Sequence, residues 1–198
     1  GALSYKPGFG INPLKFVNGI ARFALSKKLK IFEHTLVNKI DKIDNSYVVR
    51  TKEGSVKTKK IVVATNGFYQ EGLVPQMNSR ILPVISNIIV TRKLTKEEID
   101  LHNFKTFSPI ANTKNLLYYY RKLPDNRILF GTRGDFIGSD QSNLDRSKIM
   151  EKFLKNIFPN WSKIPIEYNW RGLIAMSQKL TPSIGKIKDE EIYYGFGY

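Results

Sequence analysis

The chain has a short menu of groups able to do chemistry. It contains no cysteine, which removes thiolate catalysis, disulfides and Cys-ligated zinc. Its two histidines, His34 and His102, are far apart, so no metal site is expected. His34 reads as a polar residue at a strand start and His102 as part of a loop. Two groupings remain. In Lys59-Lys60-Ile61-Val62-Val63-Ala64-Thr65-Asn66-Gly67 an apolar run passes into small residues and a glycine. Such a run reads as a strand buried on both faces of a parallel sheet. Its small residues leave backbone amides open at the carboxyl end, where open α/β sheets bind ligands. The second grouping is the pair Leu116-Leu117-Tyr118-Tyr119-Tyr120-Arg121 and Arg127-Ile128-Leu129-Phe130-Gly131, with Arg133 beyond it. Strand alternation puts Tyr118 and Tyr120 on one face, and Tyr119 and Arg121 on the other. Only one of these pairs can face a ligand above the sheet. The same aromatic run serves equally as ordinary sheet packing with solvated arginine tips.

The elements that must position these groups follow from local signals. Asn12 suits a helix N-cap and Pro13 the first helical position. Leu14, Val17, Ala21, Ala24 and Leu25 then share one face. Lys30–Glu33 and Thr35–Ile40 read as strands, and Ser46–Thr51 and Val56–Thr58 as a hairpin around Glu53-Gly54. Arg80–Thr91 is long and β-branched, so it reads as one strand or a bent pair. Thr95 caps a short helix through Asp100. The Tyr118 and Ile128 strands form a hairpin around Leu123-Pro124-Asp125-Asn126. Leu144–Phe158 is an amphipathic helix with Ile149, Met150, Phe153, Leu154 and Ile157 inward, stopped by Pro159. Pro165–Trp170 returns as a strand. The second half is thus a mostly antiparallel sheet with helices on one side.

Several stretches, in order along nearly the whole chain, resemble the FAD-dependent oxidoreductases of the D-amino-acid-oxidase type, which include glycine and sarcosine oxidases. Gly1-Ala2-Leu3 and Gly8-Phe9-Gly10-Ile11-Asn12-Pro13-Leu14 resemble the loop entering the middle helix of that family's FAD domain. Phe32-Glu33-His34-Thr35-Leu36-Val37 resembles the segment whose valine lies by the adenine end of FAD. Val63–Gly67 is similar to a cofactor-side stretch, and Asn126–Arg133 to a "dgrllfGgr" strand. Trp170-Arg171-Gly172 and Thr181-Pro182-Ser183-Ile184-Gly185 look like "W-x-G…T-P-D-x-x-P-x-I-G". Ile192–Tyr198 resembles the strand before the last flavin-contacting loop.

The resemblance implies an α/β fold joined to an α+β layer. A partial, Rossmann-like FAD-binding domain would occupy residues 1–78 and 176–198, with a mostly antiparallel substrate domain over 79–175. It implies FAD as cofactor and oxidation of an amine or amino acid to an imine, in the gamma-glutamylputrescine-oxidoreductase-like branch. Val37, Ala64, Thr65, Asn66, Gly67, Trp170, Gly172 and Gly185 would lie on the cofactor side. Tyr118, Tyr120, Arg121, Arg133 and Gly10 would lie on the substrate side, since a carboxylate-bearing substrate needs a guanidinium fork or a tyrosine hydroxyl. Read from the sequence alone, Trp170 is a core residue rather than a flavin contact.

The chain departs from the family pattern in three places. No G-x-G-x-x-G turn occurs to hold the pyrophosphate. Gly10 stands where relatives often carry histidine, and Ser183 where they usually carry aspartate. The chain therefore reads as an internal portion of a longer protein, expected to bind FAD poorly by itself.

Composition adds a competing reading. The net charge is +15 and the pI about 9.9, which would suit a nucleic-acid partner. The basic residues are scattered, however. Lys27-Lys28-Leu29-Lys30 falls where cations suit a helix end, and Lys57–Lys60 falls on a hairpin arm. With 41% hydrophobic residues the chain can bury a sizeable core. No apolar run of about 18 residues appears, so no membrane span and a cytoplasmic location are expected.

Overall fold

A computed structural model describes residues 3–4, 8–113, 117–135 and 138–197. Gly1, Ala2, Leu116 and Tyr198 of the motifs above lie outside them. The chain forms two compact units, one from Asn12–Pro83 with Ile174–Tyr198, the other from Gly1–Ile11 with Val84–Leu173.

The first unit opens with helix α1 (Pro13–Ser26). Asn12 Oδ1 accepts from Lys15 N at 3.0 Å and Pro13 takes the first helical position, the start that the sequence predicts. The apolar face does not behave as expected: no residue of α1 is buried, and Leu14, Val17 and Leu25 are exposed. Amphipathic spacing defines a face without supplying a partner for it. A three-stranded antiparallel meander follows: β1 (Val37–Ile43), β2 (Ser46–Thr51) and β3 (Ser55–Thr58). Lys30–Glu33, expected as a strand, is not one, and Ile31 and Phe32 stay exposed. β-propensity makes no strand where no neighbour takes up the backbone hydrogen bonds. Strand β4 (Ile61–Val63) is shorter than its apolar run.

The chain then enters the second unit through β5 (Leu82–Thr91), a single long strand. Helix α2 (Lys96–Asp100) carries a reciprocal capping box between Thr95 and Glu98. Then come β6 (Ile110–Ala111), β7 (Tyr118–Lys122) and β8 (Ile128–Asp135). Helix α3 (Asp140–Ile157) starts a turn earlier than expected because Ser139 caps it, its Oγ accepting from Ser142 N. β9 (Ile166–Met176) leads back to the first unit, which closes with β10 (Ser183–Lys186) and β11 (Ile192–Phe196).

In the first unit β11 lies between β10, antiparallel, and β4, parallel, with Ile61 opposite Ile192 and Val63 opposite Tyr194. Val63 is buried and Val62 is 71% exposed. The expectation that this strand is buried on both faces is therefore corrected: one face packs on the core and the other is open. That core gathers Tyr47, Val63, Val74, Met77, Ile187, Ile192 and Phe196. Tyr47 ties the meander to the turn before β11. Its hydroxyl donates to Glu190 at 2.6 Å and accepts from Glu191 N at 2.9 Å.

The second unit is built on a five-stranded sheet in the order β6-β7-β8-β5-β9. Ile89, Ile128 and Phe130 from one face of it meet Met150 and Leu154 of α3, with Phe158, Trp161 and Ile164 beyond the helix. Ile149 and Ile157, expected inward, are partly exposed at 44% and 38%; the buried stripe is narrower than the apolar pattern.

One corner of this unit should respond to acid. The His102 ring sits edge-on to Trp161 and Phe158, with centroids at 4.8 and 5.2 Å, and Nε2 has no hydrogen-bond partner among the described residues. Burial pushes its pKa below the usual histidine value. Glu98, held by the Arg92 fork and the Thr95 backbone N–H, has a pKa lowered to about 2. In both cases the unfolded chain takes up the proton at higher pH than the folded one, so stability falls as pH falls. His102 acts as the pH drops below about 6.5, and Glu98 as it drops from about 4.5 towards 2. Urea titrations followed by tryptophan fluorescence should show both losses. His102→Phe should remove the upper one, and Glu98→Gln should shrink the lower, leaving the share of the other carboxylates held low, Glu97 and Glu167 among them.

Candidate functional site

The face of the five-stranded sheet opposite α3 is where polar side chains collect. On the helix-covered face Tyr118 stacks on Phe130 (5.7 Å) and packs on Phe153 (4.5 Å), and Tyr120 packs on Phe130 and Phe158. Both belong to the aromatic core, and burial raises the Tyr120 pKa. They do not share a face with Arg121, so the substrate-side set implied by the resemblance mixes two faces that strand alternation keeps apart. Of the two alternating pairs, Tyr119 and Arg121 are the pair that points away from the helix.

Tyr119 and Ser86 on β5 share a hydrogen bond of 2.9 Å between hydroxyls. The Tyr119 ring lies across Gly131 of β8, where an added Cβ would overlap it. Gly131 is thus the position that lets a large ring lie flat across the sheet. Arg133 shares the Gly131 face by alternation and stands opposite Ser86 in the β5–β8 register. On β9, Asn169 reaches Ser147 of α3 and Arg171 reaches Asp140. The alternate residues Trp170 and Gly172 therefore belong to the open face. Trp170 is 47% exposed, and a Cβ at Gly172 would meet nothing within 4 Å. Trp170 is consequently not a core residue. Tyr119 and Ser86 were missed in the sequence; the available signal was that Tyr119 shares its parity with Arg121.

Charge pairing separates the arginines of this unit. Arg92 pairs with Glu98, Arg127 with Asp125 and Glu167, and Arg171 with Asp140. Neither Arg121 nor Arg133 has a carboxylate partner among the described residues. Arg121 Nη2 donates instead to the Ile11 carbonyl at 2.8 Å, beside Gly10. Two guanidinium groups without acids, on the same sheet face as two hydroxyls and an indole, can take up an anion that also carries an apolar portion.

The first unit offers a different kind of site. At the carboxyl ends of the parallel strands β4 and β11, Ala64 and Thr65 are exposed. Asn66, at φ 48°, turns its Oδ1 to accept from Gly197 N at 3.0 Å. Gly197 has φ 87°, and a Cβ there would stand 3.1 Å from the Thr181 carbonyl oxygen. Gly67 is buried. Asn66 and Gly67 therefore shape the turn, while Ala64 and Thr65 present open backbone. Val37 starts β1 at a bulge. Gly185 does not open space for a ligand, because the Tyr194 ring fills the place of its side chain. Elsewhere in this unit a groove of about 1300 Å³ is lined in part by Met77, Met176, Tyr194 and Phe196, with Arg80, Lys179 and Lys188. Apolar walls with cations suit a large, partly apolar anion, and the small residues at the strand ends suit close approach by a planar group. The donor set thus fits a dinucleotide such as FAD.

Sequence comparison decides the family, since residues 1–198 match that described as FAD dependent oxidoreductase. The chain belongs to this family. It is 30% identical over 191 residues to a probable oxidoreductase OrdL of Haemophilus influenzae, covering 95% of the chain and 42% of that protein. It is 29% identical over 198 residues to the gamma-glutamylputrescine oxidoreductase of Escherichia coli, covering 100% of the chain and 45% of that protein. Among solved structures, L-proline dehydrogenase from P. horikoshii superposes with a TM-score of 0.73 at 21% identity, over 93% of the chain and 50% of that structure. Glycine oxidase from Geobacillus kaustophilus gives 0.70 at 17%, over 91% and 47%. The fold is shared with these enzymes, and the chain spans about half their length. Among the described residues no helix is long and apolar enough to cross a membrane, and no group of His, Cys, Asp and Glu could hold a metal ion.

Proposed function

We propose that this family member takes part in the FAD-dependent oxidation of an amine or amino acid at a C–N bond. The observation that carries the reading is the family match over every residue of the chain. FAD, when bound, would take two electrons and two protons from the CH–NH unit, leaving an imine that water hydrolyses to a carbonyl and free amine. Ala64 and Thr65 would meet the cofactor through backbone groups, with Asn66 and Gly67 holding the turn that presents them. Val37, Trp170 and Gly172 remain cofactor-side candidates; Gly185 acts through Tyr194.

The protein's own part is recognition and placement. Arg121 and Arg133 would bind an anionic group of the substrate, and the Tyr119–Ser86 pair would orient its polar atoms. Trp170 would exclude water from one flank. The gamma-glutamylputrescine oxidoreductase of E. coli makes amines with a carboxylate at one end the first substrates to try, and a cytoplasmic location belongs to the same reading. The protein expressed from its natural reading frame should be yellow and should bleach anaerobically with a suitable amine. A folded, flavin-loaded protein that no amine or amino acid bleaches would refute the reading.

A further inference from the structure

Gly10 and Arg121 occupy mutually exclusive space. A Cβ at residue 10 would overlap Arg121 Nη1 and lie 3.3 Å from Cζ. Arg121 Nη2 meanwhile donates to the next residue's carbonyl, Ile11 O, at 2.8 Å. The guanidinium therefore rests on a stretch of bare backbone, with one edge fixed by a hydrogen bond. A fixed edge leaves the remaining N–H groups pre-aimed, which lowers the ordering cost of binding an anion. The contrast with Arg92, Arg127 and Arg171 matters here. Each of those is neutralised by an acid, whereas Arg121 is held by a neutral carbonyl and keeps its charge available. It also stands on the strand and, by alternation, the face that carry Tyr119.

We propose that Gly10 is a specificity-determining residue: by lacking a side chain it lets Arg121 settle on the Gly10–Ile11 backbone, and Arg121 in that pose selects amine substrates that carry a carboxylate. This rests on the amine-oxidation reading above. Any side chain at position 10 would lift the guanidinium off the loop, break its bond to Ile11 and blur the position of the charge. The charge would survive and the geometry would not.

Calorimetry on the protein from its natural reading frame tests this without turnover. The probe is propionate, with propanamide as the uncharged control. Arg121→Gln and Gly10→Ala should each weaken propionate roughly 10- to 100-fold, the loss expected for a charge-assisted hydrogen bond. Propanamide, whose neutral carbonyl makes only the weaker kind of bond to a guanidinium, should respond less to either change. The double variant should be no weaker than Arg121→Gln alone, since both changes remove one interaction. Arg121→Lys, which keeps charge and loses the fork, should fall between wild type and Arg121→Gln. In turnover, Gly10→Ala should raise KM for a carboxylate-bearing amine far more than for its carboxamide analogue, with the larger effect in KM rather than kcat. Wild-type affinity for propionate in a folded Gly10→Ala protein, or simple additivity of the two changes, would overturn the proposal. A wild type that oxidises amines but ignores propionate would sink this inference alone. A wild type that binds propionate yet oxidises no amine would sink the functional reading and leave the subsite standing.

Discussion

Trp161→Ala should destabilise the Val84–Leu173 unit by about 3–5 kcal/mol, the range for emptying a large aromatic site. Trp161 is 2% exposed. Its ring stacks on Phe158 at 4.3 Å and lies edge-on to His102 and Phe104. Its Nε1–H donates to the Glu98 carbonyl at 2.7 Å, so alanine would leave both a cavity and an unsatisfied carbonyl within α2. Trp161→Phe should recover part of the packing and none of the hydrogen bond. Trp170→Ala is the control: half-exposed on the open face, it should cost under about 1 kcal/mol. Guanidinium titrations of the three variants would order them. Equal losses for Trp161→Ala and Trp170→Ala would contradict the assignment of the core.

Gly131→Ala should have the largest effect on the open face. The new methyl would overlap the Tyr119 ring, and the ring is stiff. It must swing off the sheet and give up the Ser86 hydrogen bond. Overpacking of this kind costs about 1–3 kcal/mol, and the displaced hydroxyl should lower amine kcat/KM by about tenfold or more. Tyr119→Ala placed in the same protein should relieve the overpacking, so the stability losses of the pair would be less than additive. A control glycine is Gly19 in α1, where a Cβ meets nothing within 4 Å. Gly19→Ala should be neutral or stabilising by up to about 1 kcal/mol. Strict additivity at Gly131 and Tyr119 would mean that the ring does not lie where described.

What could be read in the sequence was local. Asn12-Pro13 marked the start of α1, Thr95 with Glu98 marked α2, and the Glu53-Gly54 and Asp125-Asn126 turns marked hairpins, because capping and turn chemistry act within a few residues. Faces were legible only up to a choice of sign. Alternation separated Tyr118 and Tyr120 from Tyr119 and Arg121, but packing of Phe153 and Phe158 on the first pair decided which side is open. Lys30–Glu33 and the face of α1 misled for a related reason: strand propensity and amphipathic spacing state a need for a partner without providing one. The role of Gly131 was present as a glycine in a strand, yet its meaning depends on a ring directly opposite on the neighbouring strand and twelve residues away in sequence. Asn66 looked like a ligand-side residue, and its amide is instead spent on Gly197 N.

The central claim is most directly tested by the flavin content of the protein purified from its natural reading frame. After unfolding, the released cofactor should be FAD in a ratio of about one per polypeptide, and refolding without FAD should give a colourless form that regains colour when FAD is added. A folded, colourless protein that takes up no FAD at saturating concentration would contradict the account.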